Sequence, residues 1–340
     1  MRGLIVAAGE GRRMRPITYW RPKPLVPVAD APIIVHIIRG FVAAGVADIC
    51  IVVGHLRDQL TAALADGSSW GANLTYRVQE VPRGTADAVL LARDFLSNGP
   101  FLLSWGDILV PPAHYRRVVE AAPGADGVLS VNEVEDPWEG AAVYTRGDFV
   151  ERVIEKPPPG TSTTNFNNAG IFVLPPDILE IASRLKPSPR GELELPQAID
   201  VLLARGARLR AVEVHGYWSD VARPTTVLSM NAQVIEHLSG GTWIDPSAQI
   251  SPAAQLLPPV YVGPKVRIEA KARIGPAVSL HENCAVGAGA RLAHAIFLSE
   301  CSLGADSVVS AAYLDTGVEL PPGTRLPGDL SKPFLFPPTK

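Results

Sequence analysis

Between residues 244 and 298 an aliphatic side chain returns every sixth position without a break: Ile244, Ile250, Leu256, Val262, Ile268, Ile274, Leu280, Val286, Leu292 and Leu298. A small or apolar residue precedes each of the later nine by two places: Ala248, Ala254, Val260, Val266, Ala272, Val278, Cys284, Ala290 and Ile296. A six-residue period suits neither a helix nor an ordinary strand. It suits a triangular coil in which each side turns one aliphatic inward, so that successive coils stack into a parallel β-helix. The register slips after Leu298 and resumes at Val308, Leu314, Leu320 and Leu326, which reads as a capping end. The pair Gly240-Gly241 marks the junction with what precedes it.

Before that junction the rhythm is different. "GLIVAA" and "ADICIVVG" read as buried strands, with the helix-like "APIIVHIIRGFVAAGV" between them, ended by Gly45. "TADAVLLARDFL" reads as a further amphipathic helix and "PFLLSWGD" as the strand after it. Strand, helix, strand in this order argues for an α/β domain with a parallel sheet and helices on both faces. The expected organisation is an α/β domain over 1–238, a hexapeptide-repeat domain over 239–330 and a C-terminal tail over 331–340.

Composition narrows the function classes. The net charge of −3 gives no general electrostatic case for nucleic acid or an anionic membrane. No apolar run reaches the length of a membrane span, and no secretory leader is evident, so a cytoplasmic location is expected. Cys50, Cys284 and Cys301 have neither zinc nor CxxC spacing and read as reduced buried thiols.

Against that background the stretch "GLIVAAGEGRRMRPITYWRPKPLVPVAD" stands out, because it gathers Arg12, Arg13, Arg15, Arg21 and Lys23 around Gly9 and Gly11. A strand ending in Gly-Glu-Gly lets backbone N–H groups approach an anion closely, and the cations neutralise it. GxxxxGK[ST] is absent, and GxGxxG fails because position 14 is Met.

The ordered string "GxGxRMxP…PKPLxPV" resembles the signature of the sugar-1-phosphate nucleotidyltransferases, with Arg12 standing where many members have Thr. The resemblance runs from residue 3 to about 235, and the repeats match members with a hexapeptide tail. It implies a Rossmann-like domain with a mostly parallel mixed sheet, followed by a left-handed parallel β-helix. By the same resemblance, Ala7, Ala8, Gly9, Gly11, Arg13, Arg15 and Lys23 belong to the triphosphate loop. Gln79, Gly84 and Thr85 in "YRVQEVPRGTADAV" belong to the base-reading segment. Asp107 in "LLSWGDILV" and Asp220 in "GYWSDVA" are implied as Mg²⁺ ligands. Lys156 in "IEKP" would hold the sugar phosphate, beside Glu155, with Gly140, Asn168 and Glu194 as further sugar-pocket positions.

What the family implies for the substrates is a nucleoside triphosphate and a sugar 1-phosphate. The Lys23-Pro24 pair occurs in uridylyl, guanylyl, adenylyl and cytidylyl members, "LKPSPRGELE" is close to thymidylyl members, and Gln79 suits a pyrimidine. UTP comes first, then dTTP or GTP, with glucose as the default sugar. Stacked coils point to a homo-oligomer. Two alternatives accompany this reading: an acetyltransferase activity in the coils using His281 or His294, and a non-catalytic paralogue that binds nucleotide sugars.

Overall fold

A computed structural model describes residues 1–339 of the chain, and Lys340, the last residue of the expected tail, lies outside it. The chain divides into two compact units. One comprises Met1–Glu10 and Ile34–Asp220, and the other Gly11–Ile33 and the chain from Val221 on. The sequence suggests a border near residue 238. By packing, the cation-rich loop and the helix Pro224–Ser239 go instead with the C-terminal repeats.

The first unit is built on strands β1 (Arg2–Ala7), β2 (Asp48–Val53), β3 (Asn73–Val78), β4 (Phe101–Trp105), β5 (Ile108–Leu109), β6 (Gly127–Glu133), β7 (Ala141–Arg146), β8 (Phe149–Glu155), β9 (Phe166–Leu174), β10 (Leu209–Glu213) and β11 (Ser219–Asp220). Nine of them form one sheet in the order β3-β2-β1-β4-β9-β6-β10-β8-β7. The segment β3-β2-β1-β4 is parallel throughout, β9 runs antiparallel to both its neighbours, and β10 is parallel to β6. The sheet is therefore mixed. Leu4, Ile5 and Cys50 to Val53 are wholly buried, as central parallel strands covered on both faces require. The expected helix after Arg83 forms in two pieces, Thr85–Leu91 and Arg93–Leu96, broken at Ala92.

The repeats of the second unit form three columns of parallel strands. One column contains Thr242–Ile244, Val260–Val262, Val278–Leu280, then 295–297, 312–314 and Phe334–Phe336. Gln249–Ile250 begins the second column and Gln255–Leu256 the third. The last rung of the first column is supplied by the segment that sequence set apart as a tail.

The apparent cap after Leu298 is a shortened turn. Val262 stacks on Leu280 eighteen residues later, but Leu280 stacks on Phe297 and Phe297 on Leu314, each after seventeen. The inward residues are thus Phe297 and Val309, not Leu298 and Val308. The cause is the corner. Gly275, Pro276 and Ala277 join Ile274 to the next strand, whereas Ala293 and His294 alone do so one coil later, with His294 in the left-handed region at φ 49°. The aliphatic ladder continues through the slip, with Cys284 and Cys301 as small buried residues that donate their thiols to backbone carbonyls. All three cysteines are free and buried, and burial pushes the Cys50 thiol up to about 11. No helix among the described residues is long and apolar enough to cross a membrane.

Because every rung rests on the one below it, truncating one should be costly. Leu280→Ala, in the middle of the stack, is expected to lose about 2–5 kcal/mol through lost transfer energy and a residual cavity. The shift in urea midpoint at unchanged m-value measures this.

Candidate active site

The C-terminal ends of parallel strands are where open α/β sheets bind ligands. Here β1 ends in the buried Ala7, followed by the buried Ala8. Two glycines press against that end: a Cβ on Gly54 would lie 2.5 Å from the Ala8 carbonyl oxygen, and one on Gly106 would lie 2.9 Å from the Val6 carbonyl oxygen. The Gly106 N–H donates to that Val6 oxygen at 2.8 Å, which fixes the turn leading to Asp107. Gly9 is exposed, with open space where a side chain would be.

Two short strands bring together carboxylates far apart in sequence. β11 pairs antiparallel with β5, Asp220 opposite Ile108 and Ser219 opposite Leu109. Asp107, next to Ile108, and Asp220 therefore face the same cavity. That cavity measures about 580 Å³ and is also lined by Thr85, Gly140, Glu155, Lys156, Asn168 and Glu194. Eight of the residues singled out in the sequence thus share one concavity.

Backbone hydrogen bonds hold its wall. Lys156, at φ 44°, donates its N–H to the Gly140 carbonyl at 2.7 Å, so the two expected sugar-pocket positions are tied directly. A Cβ on Gly140 would crowd Asn167 Oδ1, which accepts from the Ala141 N–H at 3.1 Å. Asn167 Nδ2 donates to Asn132 Oδ1, and Asn168 Oδ1 accepts from the Gly170 N–H at 2.9 Å. On another side, Ala86 N–H donates to Leu193 O at 2.8 Å, Leu193 N–H to Arg83 O at 2.7 Å, and Leu195 N–H to Thr85 Oγ1 at 2.9 Å. This lacing places Glu194 beside Thr85.

Three site features lay outside the sequence reading. Arg190 donates to Glu155 at 3.2 Å and to Glu194 at 2.7 Å, bridging two carboxylates of the wall. Burial pushes the Glu155 carboxyl above the usual range, while the hydrogen bond and charge of Arg190 pull it back. Trp105 and Trp218 also line the cavity, the second held by a 3.0 Å bond from Nε1 to the Ala169 carbonyl. A signal for both was present, since each tryptophan stands two residues before a site aspartate, in "WGD" and "WSD".

Gln79 and Gly84 do not line this cavity. Gln79 Nε2 donates to the Gly84 carbonyl at 3.1 Å and to Asp87 Oδ2 at 2.9 Å. Both amide hydrogens are thereby directed at acceptors within residues 84–87, one of them on the helix Thr85–Leu91.

The remaining expected residues lie in the other unit. Gly11 is in the left-handed region at φ 62°, with its carbonyl accepting from Thr18 Oγ1 at 3.0 Å. Met14, Ile17, Leu25 and Val26 bury the inner side of the loop, and Arg12, Arg13 and Arg15 stand on the exposed side. Lys23 is partly buried, and a Cβ on Gly11 would lie 3.1 Å from its own. The loop is a folded turn that presents cations.

The nucleotidyl transferase family pattern matches residues 2–237 of this chain. The chain belongs to the nucleotidyl transferase family. A second pattern, the GMPPB C-terminal domain, matches residues 256–327. Among curated relatives of this nucleotidyl transferase, a glucose-1-phosphate thymidylyltransferase of Streptomyces griseus is 30% identical over 96% of this chain and 95% of its own length. The low-salt glycan biosynthesis nucleotidyltransferase Agl11 of Haloferax volcanii is 35% identical over 70% of this chain and 67% of its own. A mannose-1-phosphate guanyltransferase of Schizosaccharomyces pombe is 31% identical over 74% of this chain and 73% of its own. Among solved structures, UDP-glucose pyrophosphorylase with UDP-glucose shares the fold, with a TM-score of 0.60 at 23% identity over 68% of this chain and 96% of that one.

Arg190 supplies the first-order check on this wall. Arg190→Gln removes the hydrogen bond and charge that lower the Glu155 pKa, so that value should climb further in the variant; NMR titration of the Glu155 carboxyl carbon reads it. Since the folded state holds this proton more tightly than the unfolded chain, Glu155 opposes folding as pH rises from its ordinary value through the raised one. The variant should widen that window upward.

Proposed function

We propose that the protein is a sugar-1-phosphate nucleotidyltransferase that joins a nucleoside triphosphate to a sugar 1-phosphate and releases pyrophosphate. The observation that carries this is the pairing of Ser219–Asp220 with Ile108–Leu109, which puts Asp220 and Asp107, next to Ile108, in one cavity with Lys156. An oxygen of the sugar 1-phosphate attacks the α-phosphorus. A new phosphorus–oxygen bond forms, the bond to the bridging oxygen breaks, and pyrophosphate leaves with its electrons. The nucleophile is ionised at neutral pH, so no general base is required. The chain's task is to position two anions and offset their repulsion. Lys156 holds the sugar phosphate, and Arg13, Arg15 and Lys23 hold the triphosphate, with Ala7, Ala8, Gly9 and Gly11 shaping its approach. Glu155, Asn168 and Glu194 accept from sugar hydroxyls, and the backbone at Gly140 leaves them room.

No group of three or more His, Cys, Asp or Glu side chains able to hold a metal occurs among the described residues. Two carboxylates alone suit Mg²⁺, which keeps phosphate oxygens and water as its other ligands. Asp107 and Asp220 would hold it, and when bound it offsets charge on the phosphates.

The free carbonyl of Gln79 suits a base with an imino N–H, which uracil, thymine and guanine have and adenine and cytosine lack. The family resemblance of Lys23-Pro24, with Gln79, puts UTP first. Likeness over 96% of the chain to a thymidylyltransferase moves dTTP ahead of it, with glucose 1-phosphate as the partner sugar. Residues 1–238 serve as the catalytic module and 239–330 as a left-handed β-helix, whose exposed Trp243 and Ile244 support self-association. An acetyltransferase role finds no support at His281, since its Nε2 is buried without a partner and burial pushes its pKa down to about 4.

Pyrophosphate release across five triphosphates and a set of sugar 1-phosphates tests this reading. Activity is expected with dTTP, UTP or GTP, and silence across the set would sink it. Asp107→Asn should lower turnover by about 10²–10³-fold with the fold intact by circular dichroism; a rate near that of the native protein would refute the role of Asp107.

A further inference from the structure

Of the five cations between residues 12 and 23, Arg21 is committed elsewhere. Its Nε donates to Asp315 Oδ2 at 3.0 Å and its Nη2 to Oδ1 at 2.6 Å, a bidentate pair. Trp20 Nε1 also donates to Oδ2 at 3.0 Å, and the Thr316 N–H donates to Oδ1 at 2.7 Å. The Tyr313 hydroxyl lies 3.5 Å from Oδ2. Asp315 is 0% exposed and directly follows the strand Val308–Leu314 of the coil stack. Burial alone would push its carboxyl up, yet the hydrogen bonds and charge of Arg21, with those from Thr316 and Trp20, hold it below the usual range.

A second tie stands eight residues on. The Ala29 N–H donates to Asn231 Oδ1 at 2.9 Å, Ser279 Oγ donates to the same oxygen at 2.7 Å, and Asn231 Nδ2 donates to the Ala277 carbonyl at 3.2 Å. Asn231 is wholly buried on the helix Pro224–Ser239. The segment Gly11–Ile33 is therefore fastened twice within its own unit, to the late coils and to the coil at 277–279. Between the fastenings stands Lys23, flanked by Pro22 and Pro24. Proline fixes φ, so the four-residue stretch from Arg21 to Pro24 is stiff and an orientation set at Arg21 is passed to Lys23.

We propose that Asp315 is a positioning residue for nucleotide binding: by holding Trp20 and Arg21 it sets the backbone from which Arg15 and Lys23 meet the triphosphate. The inference rests on the reading of this loop as the triphosphate cradle. It makes the coil stack a working part of the catalytic loop. Asp315 recognises no ligand and acts through Arg21.

The test compares the full-length native protein with Asp315→Asn, Arg21→Gln and the double variant. Asp315→Asn should raise the KM for the triphosphate about tenfold, a shift of one decade in apparent affinity, while the KM for sugar 1-phosphate changes less than about twofold. The double variant should be no worse than the more affected single, because both remove one anchor. Trp20→Phe, which deletes only the Nε1–H donation, serves if Asp315→Asn does not fold, and should show a smaller shift of the same kind. Hydrogen exchange of peptides within 11–26, read without substrate, should be faster in each variant. Folded variants with unchanged triphosphate KM, equal rises in both KM values, or unchanged exchange in the loop would each overturn the proposal. If the native protein is inactive with every triphosphate, the functional reading fails separately, and the exchange result alone decides the anchor.

Discussion

The two-residue pairing of Ser219–Asp220 with Ile108–Leu109 is the contact on which the candidate site of the first unit depends. Its strands are too short to stabilise anything alone. Their value is positional: they set a carboxylate from the end of the unit's chain beside one that follows the fourth strand. Around it the wall is closed by similar economies, the Lys156–Gly140 bond and the lacing of residues 83–86 to 193–195. The Lys156–Gly140, Ala86–Leu193 and Leu193–Arg83 bonds join segments distant in sequence through backbone groups. That arrangement suits a reaction in which the protein supplies position and charge and no covalent chemistry.

The second unit solves a different problem. A column of parallel strands needs each coil to place its inward residue above the last, and the chain does this with turns of eighteen residues and then seventeen. The shorter turn is absorbed at the corner, by two residues, Ala293 and the left-handed His294, where three served before. The stack stays regular, and the cation-bearing loop is fastened to it directly at Asp315 and, through Asn231 of the helix Pro224–Ser239, at Ser279 and Ala277.

The six-residue repeat and the buried strands were legible because both follow from periodicity that packing cannot override. The carboxylate pair was legible through family resemblance, whereas their meeting depends on a strand pairing too short to leave a pattern. Leu298 and Val308 misled because a one-residue deletion at a corner shifts register without changing hydrophobicity, and Phe297 and Val309 are as apolar as their neighbours. In sequence Arg21 stands among the loop's other cations, and an arginine's sequence context does not say which way it turns. Its partner stands 294 residues away, beyond the reach of any local signal. Arg190 escaped for the same reason: an Arg and a Glu four apart read as a surface pair until Glu155 joins them.

The most direct test of the central claim is an anomalous difference map from crystals grown with Mn²⁺, a non-hydrolysable triphosphate and a sugar 1-phosphate. The account predicts a single strong peak bound by Asp107 and Asp220 and by phosphate oxygen. A peak at other side chains, with these two carboxylates turned away from both phosphates, would contradict it.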